Sequence, residues 1–322
     1  MSRAAIAFAA AFAAACVSPL AAEAADWPTR PVRIISPASP GGASDTFARI
    51  LAEHFGETFG QRFYVENRTG AGGLIGAAAA ANAEPDGYTL VTSSIAYTVI
   101  APSAATNPGF DPKRSFTHIA YIGGPPIAFV AHPSLGVRSV DDLRKFAERS
   151  GPVTYASPGV GTLGHLMTER FAQESGIRLQ HIPNKGGATA VADVVSGTVN
   201  MASMTWSSAS AQIRGGTVIP IAVTSSARLP EFPDVPTLKE LGYDDLVATT
   251  WFGLSGPANM PPDIVQKLNR AVVAILDKPG VRERVKRDAI ETLKMTPEEY
   301  TRFQASELDN WGPLAKKFVP TN

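Results

Sequence analysis

Val153-Thr154-Tyr155-Ala156-Ser157-Pro158-Gly159-Val160-Gly161-Thr162-Leu163-Gly164-His165-Leu166-Met167 is the stretch that decides the fold. A short apolar run breaks at a Gly-rich turn. Leu163, Leu166, Met167 and Phe171 then recur at helical spacing, so the order is strand, turn, helix. Gly159-Val160-Gly161-Thr162-Leu163-Gly164 is a literal G-x-G-x-x-G in that setting, the fingerprint of a dinucleotide-binding unit. Such a unit needs an acidic residue about 20 positions on, at the end of the next strand, to hold the ribose. That strand reads Leu179-Gln180-His181-Ile182-Pro183-Asn184 and carries no carboxylate. An NAD(P)-dependent oxidoreductase using Gly159 to Gly164 is therefore kept only as the alternative function, and another anion fits the same turn equally well.

The same grammar recurs on both sides. Val32-Arg33-Ile34-Ile35-Ser36 reads as a strand, Pro37 to Gly42 as a turn, and Phe47, Ile50, Leu51, Phe55 and Phe59 as one helix face. Phe63 to Asn67 is the next strand, Gly70 to Gly73 leads into an Ala-rich helix from Leu74 to Ala83, and Tyr88 to Thr92 is a third strand. Downstream, Ser139 to Ser150 reads as a helix. Leu179 to Ile182, Val199 to Met204 and Val218 to Val223 add strands. Strands separated by helices of this length imply βαβ units and mainly parallel sheets. The expected fold is α/β with two lobes, each a mainly parallel sheet flanked by helices, joined by two crossover strands. Gly123-Gly124-Pro125-Pro126 and the Pro-rich stretch from Pro230 to Pro236 read as the crossovers, with the helices from Pro261 onward returning to the first lobe. We expect residues 25–124 plus 249–322 in lobe 1 and 125–248 in lobe 2. The hinge is expected near Gly123-Gly124 and the strand leading to Trp251-Phe252-Gly253.

The chain has 322 residues, 29 basic and 29 acidic side chains, five His and one Cys. A formal charge of zero argues against nucleic acid or an anionic membrane surface as the main partner, since both are held by clustered Lys and Arg. Arg3, the apolar run Ala4 to Val17, the break at Ser18-Pro19 and the small-x-small site Ala22-Glu23-Ala24 read as a cleaved secretory leader over residues 1–24. Cys16, after Ala13-Ala14-Ala15, resembles a weak lipoprotein site, which usually carries Leu where Ala13 stands. Cleavage after Ala24 removes the only cysteine. No G-x-S-x-G elbow occurs, because Tyr155 stands two places before Ser157. Asn184-Lys185-Gly186-Gly187 lacks the residues of a phosphate loop, and the His residues show no paired-ligand spacing. No catalytic residue, metal or cofactor is expected, so the chain reads as a binding protein rather than an enzyme.

Binding chemistry collects at the turns. Gly41 and Gly42 stand between a strand and a helix, where backbone can approach a ligand and the helix start offers free N–H groups. Ser44 and Asp45 fit a helix cap equally well. Thr92, Ser93 and Ser94 end the third strand, Thr205 ends a later one, and His165 lies one turn into the second Gly-rich helix. Trp206 and Trp251 read as core or cleft-wall residues.

With these motifs in view, the mature chain resembles the Bug family, the TctC-like periplasmic receptors of tripartite tricarboxylate transporters. The resemblance rests on Pro-Gly-Gly-x-x-Asp at 40–45, Val65-Glu66-Asn67-Arg68-x-Gly70-Ala71-Gly72-Gly73, and Pro85-Asp86-Gly87-Tyr88-Thr89-Leu90. It continues through Tyr155-Ala156-Ser157-x-Gly159-x-Gly161, His165-Leu166 and Pro233-Asp234-Val235-Pro236-Thr237. The resemblance implies a two-lobed Venus flytrap that binds a small carboxylate and hands it to a membrane permease. It implies a monomer in the periplasm, with a ligand-binding partner of a signalling sensor as a further alternative. The ligand classes are a di- or tricarboxylate, an acidic amino acid or an aromatic acid. The implied site is Ser39, Pro40, Gly41, Gly42, Ser44, Asp45, Ser93 and Ser94 on one jaw. Ser157, Gly159, Gly161, Thr162, His165, Asn184 and Thr205 form the other. By the same resemblance the carboxylate is held by amides, hydroxyls and waters rather than by an Arg, and neither turn contains one. Asn184 stands where the family often has Tyr, which implies a wider or more polar cleft at that corner.

Overall fold

Branched side chains at Val32, Ile34 and Ile35 set the first strand, β1 (Val32–Ser36), which is buried along most of its length as a central strand must be. The computed structural model describes residues 27–40, 43–184 and 186–319. The secretory-leader and Cys16 readings, and the candidates Gly41 and Gly42, lie outside the described residues, as does Lys185.

Helix α1 (Ala43–Phe59) buries Phe47, Ala48, Leu51, Ala52 and Phe55, three and four positions apart, against the first sheet. There follow β2 (Phe63–Asn67), α2 (Leu74–Ala81) and β3 (Thr89–Ser94). The six residues Ile95–Ile100 form a π-helical turn that runs into α3 (Ala101–Ala104). Next come β4 (Phe116–Gly123), β5 (Ile127–Ala131) and α4 (Val140–Ser150), the last capped by the Ser139 side chain, which accepts from the Asp142 amide. The deciding stretch forms β6 (Val153–Ser157) and α5 (Leu163–Ser175), with Thr162 as the cap between them. The chain continues through β7 (Leu179–Pro183), α6 (Gly187–Val195), β8 (Met201–Thr205), α7 (Trp206–Arg214) and β9 (Ile219–Val223). It ends with β10 (Phe252–Pro257), α8 (Pro262–Leu276), α9 (Pro279–Arg287) and α10 (Pro297–Phe318). A reciprocal capping box between Thr296 and Glu299 starts α10. Among the described residues no helix is long and apolar enough to cross a membrane.

Two five-stranded sheets result, ordered β2-β1-β3-β10-β4 and β7-β6-β8-β5-β9. In the first, only β10 runs against its neighbours; in the second, only β5 does. The fold is thus two-lobed and mainly parallel in each sheet. Each reversed strand is the first one entered after the chain passes from one sheet to the other, which is why its direction differs.

The two passages lie side by side. Gly124 to Pro126 leads from β4 to β5, and Thr249 to Trp251 leads into β10. The Thr250 amide donates to Pro125 O at 2.9 Å, and Pro126 pairs with Thr249. A Cβ at Gly124 would fall 2.0 Å from Thr250 O, so only glycine permits this approach. The Pro-rich run does not cross. Val223 N donates to Pro236 O, Leu238 N to Val223 O and Ala248 N to Thr224 O, which keep the chain on the second sheet until residue 248. Leu229 and Val235 pack into that sheet's core, and the prolines serve local turns.

One apolar cluster fills the first sheet's α1–α8 side, with Ile34, Phe55, Leu254 and Leu268, and another fills the second, with Val130, Val194, Met204 and Trp206. A third spans both. It joins Ile95, Val99 and Tyr121 to Phe129, Leu166 and Phe171, and includes Trp251 with Tyr300, Leu308 and Trp311 of α10. Helix α10 therefore ties the sheets together while belonging in sequence to the returning C-terminal segment. Trp206 and Trp251 are core residues, each 1% exposed.

Candidate ligand-binding site

The segments that follow β1 and β6 leave the carboxyl ends of parallel strands and lead to α1 and α5, which is where open α/β sheets accept ligands. On the first sheet, Ser39 and Pro40 are exposed, and Ser44 is buried with its hydroxyl 2.9 Å from Thr92 Oγ1. The Tyr97 phenol also bonds to Ser44, and burial pushes it up to about 12. Tyr97 sits in the π-helical turn after β3, and Ser94 caps that turn by accepting from the Tyr97 amide at 3.4 Å. Such turns recur at functional sites because they re-aim side chains within a helix. Ser44, Thr92 and Tyr97 thus make one hydroxyl cluster.

Asp45 is 1% exposed. Arg49 grips its carboxylate with Nε and an Nη at 2.9 and 3.1 Å, and Asn67 Nδ2 donates to it at 2.7 Å. Asn67 also donates to Ala38 O, so Asp45 pins the β1 turn to β2. Ser93 points away from this cluster. Its hydroxyl lies 2.9 Å from Tyr300 OH and from Ser255 Oγ, and His118 Nδ1 adds to the chain 3.1 Å from Ser255. Alternation along β3 sends Ser93 into the core between Thr92 and Ser94.

On the second sheet the candidates Ser157, Gly159, Gly161, Thr162 and His165 form one network. The Gly159 amide donates to Ser157 Oγ, Thr162 Oγ1 donates to Gly159 O at 2.7 Å, and the Gly161 amide donates to His165 Nδ1 at 3.2 Å. The amides expected to be free are engaged within the turn, so a ligand must displace these partners. Gly161 has φ +77°, the left-handed region, and a Cβ there would lie 3.4 Å from Val319 and 3.9 Å from Ile100. The turn therefore sits against apolar groups of α10's end and of the π-helical turn. Gly164 does no ligand work of the dinucleotide kind: a Cβ there would be 2.5 Å from Ser203 O, so it serves helix–strand packing.

Asn184 is tied by Nδ2 to Asp193 at 2.8 Å and by its amide to Ser157 O. Thr205 Oγ1 lies 2.9 Å from Ser208 Oγ at the start of α7. His181, on β7, stacks on His165 with ring centroids 4.1 Å apart, and its Nε2 lies 2.7 Å from Ser157 Oγ. Sequence spacing gave no signal for His181 or Tyr97. Among the described residues no group of three or more His, Cys, Asp or Glu is placed to hold a metal ion.

Two sheets joined by two side-by-side passages, each with a strand end that leads to a helix start, define a two-lobed binding protein of the periplasmic receptor class. The chain belongs to the tripartite tricarboxylate transporter family receptors, whose family model matches residues 47–319. Protein BugT of Bordetella pertussis is 33% identical over 90% of each chain. An R. palustris protein solved with adipate is 30% identical, with a TM-score of 0.80 over 90% of this chain and 98% of its own. MatC from Rhodopseudomonas palustris, solved with bound malate, is 27% identical, with a TM-score of 0.77 over 89% of this chain and 99% of its own.

Proposed function

We propose that the chain is a periplasmic solute receptor that takes a small organic carboxylate between the β1 and β6 turns and delivers it to a tripartite tricarboxylate-type membrane permease. The observation that carries this reading is the β6 turn. Amides and hydroxyls from Ser157 to Thr162 converge at the start of α5, an arrangement suited to an anion. The Ser44, Thr92 and Tyr97 hydroxyl cluster would supply the matching jaw from the other sheet. Adipate and malate in related receptors favour a di- or tricarboxylate over an aromatic acid. The secretory leader supports export, and division at 124/125 and 248/249, the two side-by-side passages, supports closure of the lobes on the ligand as a monomer. No bond is made or broken in this function.

A thermal-shift panel of organic acids and NAD(P) on the mature chain tests it. A bound acid at 100 times its dissociation constant should add about 2.7 kcal/mol of stability. Stabilisation by NAD(P) alone would refute the reading and revive the oxidoreductase.

A further inference from the structure

The β6 turn rests on a stack of three rings. Tyr155 of β6 lies 4.8 Å from His181 of β7, which lies 4.1 Å from His165 in the first turn of α5, both pairs stacked. Tyr155 OH donates to Glu169 Oε1 at 2.6 Å, which anchors one end. Ser157 Oγ meets His181 Nε2 at 2.7 Å, which anchors the middle. At the other end His165 Nδ1 accepts the Gly161 amide, so its own ring proton sits on Nε2.

We propose that His165 becomes the cation of this site when ligand binds: the acid takes over the Gly161 amide, and His165 takes a proton from solvent at Nδ1 and donates it to the acid, with His181 as the positioning residue. This rests on the carboxylate reading above. The exchange balances. One amide–imidazole bond is lost, amide–carboxylate and imidazolium–carboxylate bonds form, Nε2 keeps its proton, and the new positive charge faces a carboxylate. Without the proton, an imidazole lone pair and a carboxylate lone pair would oppose each other at the same amide.

The surroundings fit an imidazole that is neutral until an anion arrives. His165 is 5% exposed, and burial holds it below the usual histidine value while Glu169 opposes that shift. His181 is pulled down to about 4 by burial and then by His165. Along the stack the titratable groups are therefore Glu169, His181 and Tyr155. From the elements packed across it, Ile100 and Val319 bring apolar groups to the turn, and Lys316 and Lys317 of α10 are exposed. A carboxylate brought to the ring opposes the effect of burial, because an opposite charge within about 4–6 Å favours the imidazolium.

The test is calorimetric titration of the mature chain with adipate and with malate near pH ~6.5, in buffers of low and high ionisation heat. The expected result is a heat that tracks the buffer, with uptake of up to one proton per acid bound. Because binding raises the value of His165, affinity should fall by up to about tenfold per pH unit as pH rises through the bound-state value. His165→Gln should abolish both the buffer dependence and the pH slope. His181→Phe, which keeps a ring in the stack but loses the bond to Ser157, should weaken affinity while proton uptake persists. Either acid binding wild type with the same heat in every buffer overturns the proposal alone, whether or not the variants fold. Proton uptake that survives in His165→Gln also overturns it. Binding of neither acid overturns the carboxylate reading and this proposal together.

Discussion

Replacing Gly161 by Val attacks the turn at its most constrained residue. At φ +77° an L-residue is disfavoured by about 1–2 kcal/mol, and a β-branched one by more. The added Cβ itself meets Val319 at 3.4 Å, an ordinary contact, but two further methyls must find room between Val319 and Ile100. We expect a loss of about 2 kcal/mol and a melting point lower by about 5 °C. The larger effect is on binding. Relief of the strain rotates the Gly161 amide away from its bond to His165, and the ligand loses that donor. Affinity should fall by at least about a hundredfold, or about 2.7 kcal/mol. Gly161→Ala, which carries the backbone penalty with little bulk, should lie between wild type and Val. Calorimetry on both variants with the best acid from the panel, beside their melting curves, is the assay. A Val variant that binds with wild-type affinity would refute an amide-held ligand at this turn.

Asp45→Asn should cost about 2 kcal/mol of stability, because it removes charge-assisted bonds from Arg49 and weakens the tie to Asn67; an unchanged melting point would contradict the pinning role. Ser93→Ala should cost about 1 kcal/mol through its bonds to Tyr300 and Ser255, yet leave acid affinity within twofold of wild type in calorimetry (~0.4 kcal/mol). His118 is 4% exposed and burial holds it at about 4, below its unfolded value of about 6.5. The unfolded chain thus binds the proton first, so stability should fall as pH drops from ~6.5 to ~4, by up to about 3 kcal/mol at that site, and His118→Gln should flatten the denaturation profile in that window. Small-angle scattering should give a smaller radius of gyration with saturating acid; an unchanged radius would count against closure about the Gly124 and Thr250 passages.

Much of this architecture was legible because helix and strand periods alternate cleanly around Gly-rich turns, as from Val153 to Phe171 and from Val32 to Phe59. The unbroken apolar run Ile127–Ala131 carries no strand signal of its own, since a strand buried on both faces loses its alternation and reads equally as a buried helix. Proline density is a poor marker of the second crossing, because Pro230 to Pro236 punctuates turns within one sheet, whereas the passage at Thr249 to Trp251, beside the expected boundary at 248/249, contains no Pro or Gly. The turn residues of the site were readable from local chemistry. Tyr97 and His181 were not, because topology alone brings them there. A βαβ unit places the end of its second strand beside the start of its helix, which sets His181 against His165. Ser93 was open to correction from the sequence itself, since period-two alternation opposes it to Thr92.

A crystal structure of the mature chain with adipate bound tests the central claim most directly. The account predicts one carboxylate within about 3 Å of the Gly161 amide and of the His165 ring, with the Ser44, Thr92 and Tyr97 hydroxyls approaching from the other sheet. An acid found instead in the basic hollow lined by His54, Lys278, Arg284 and Arg287, with the β6 turn unchanged, would contradict it.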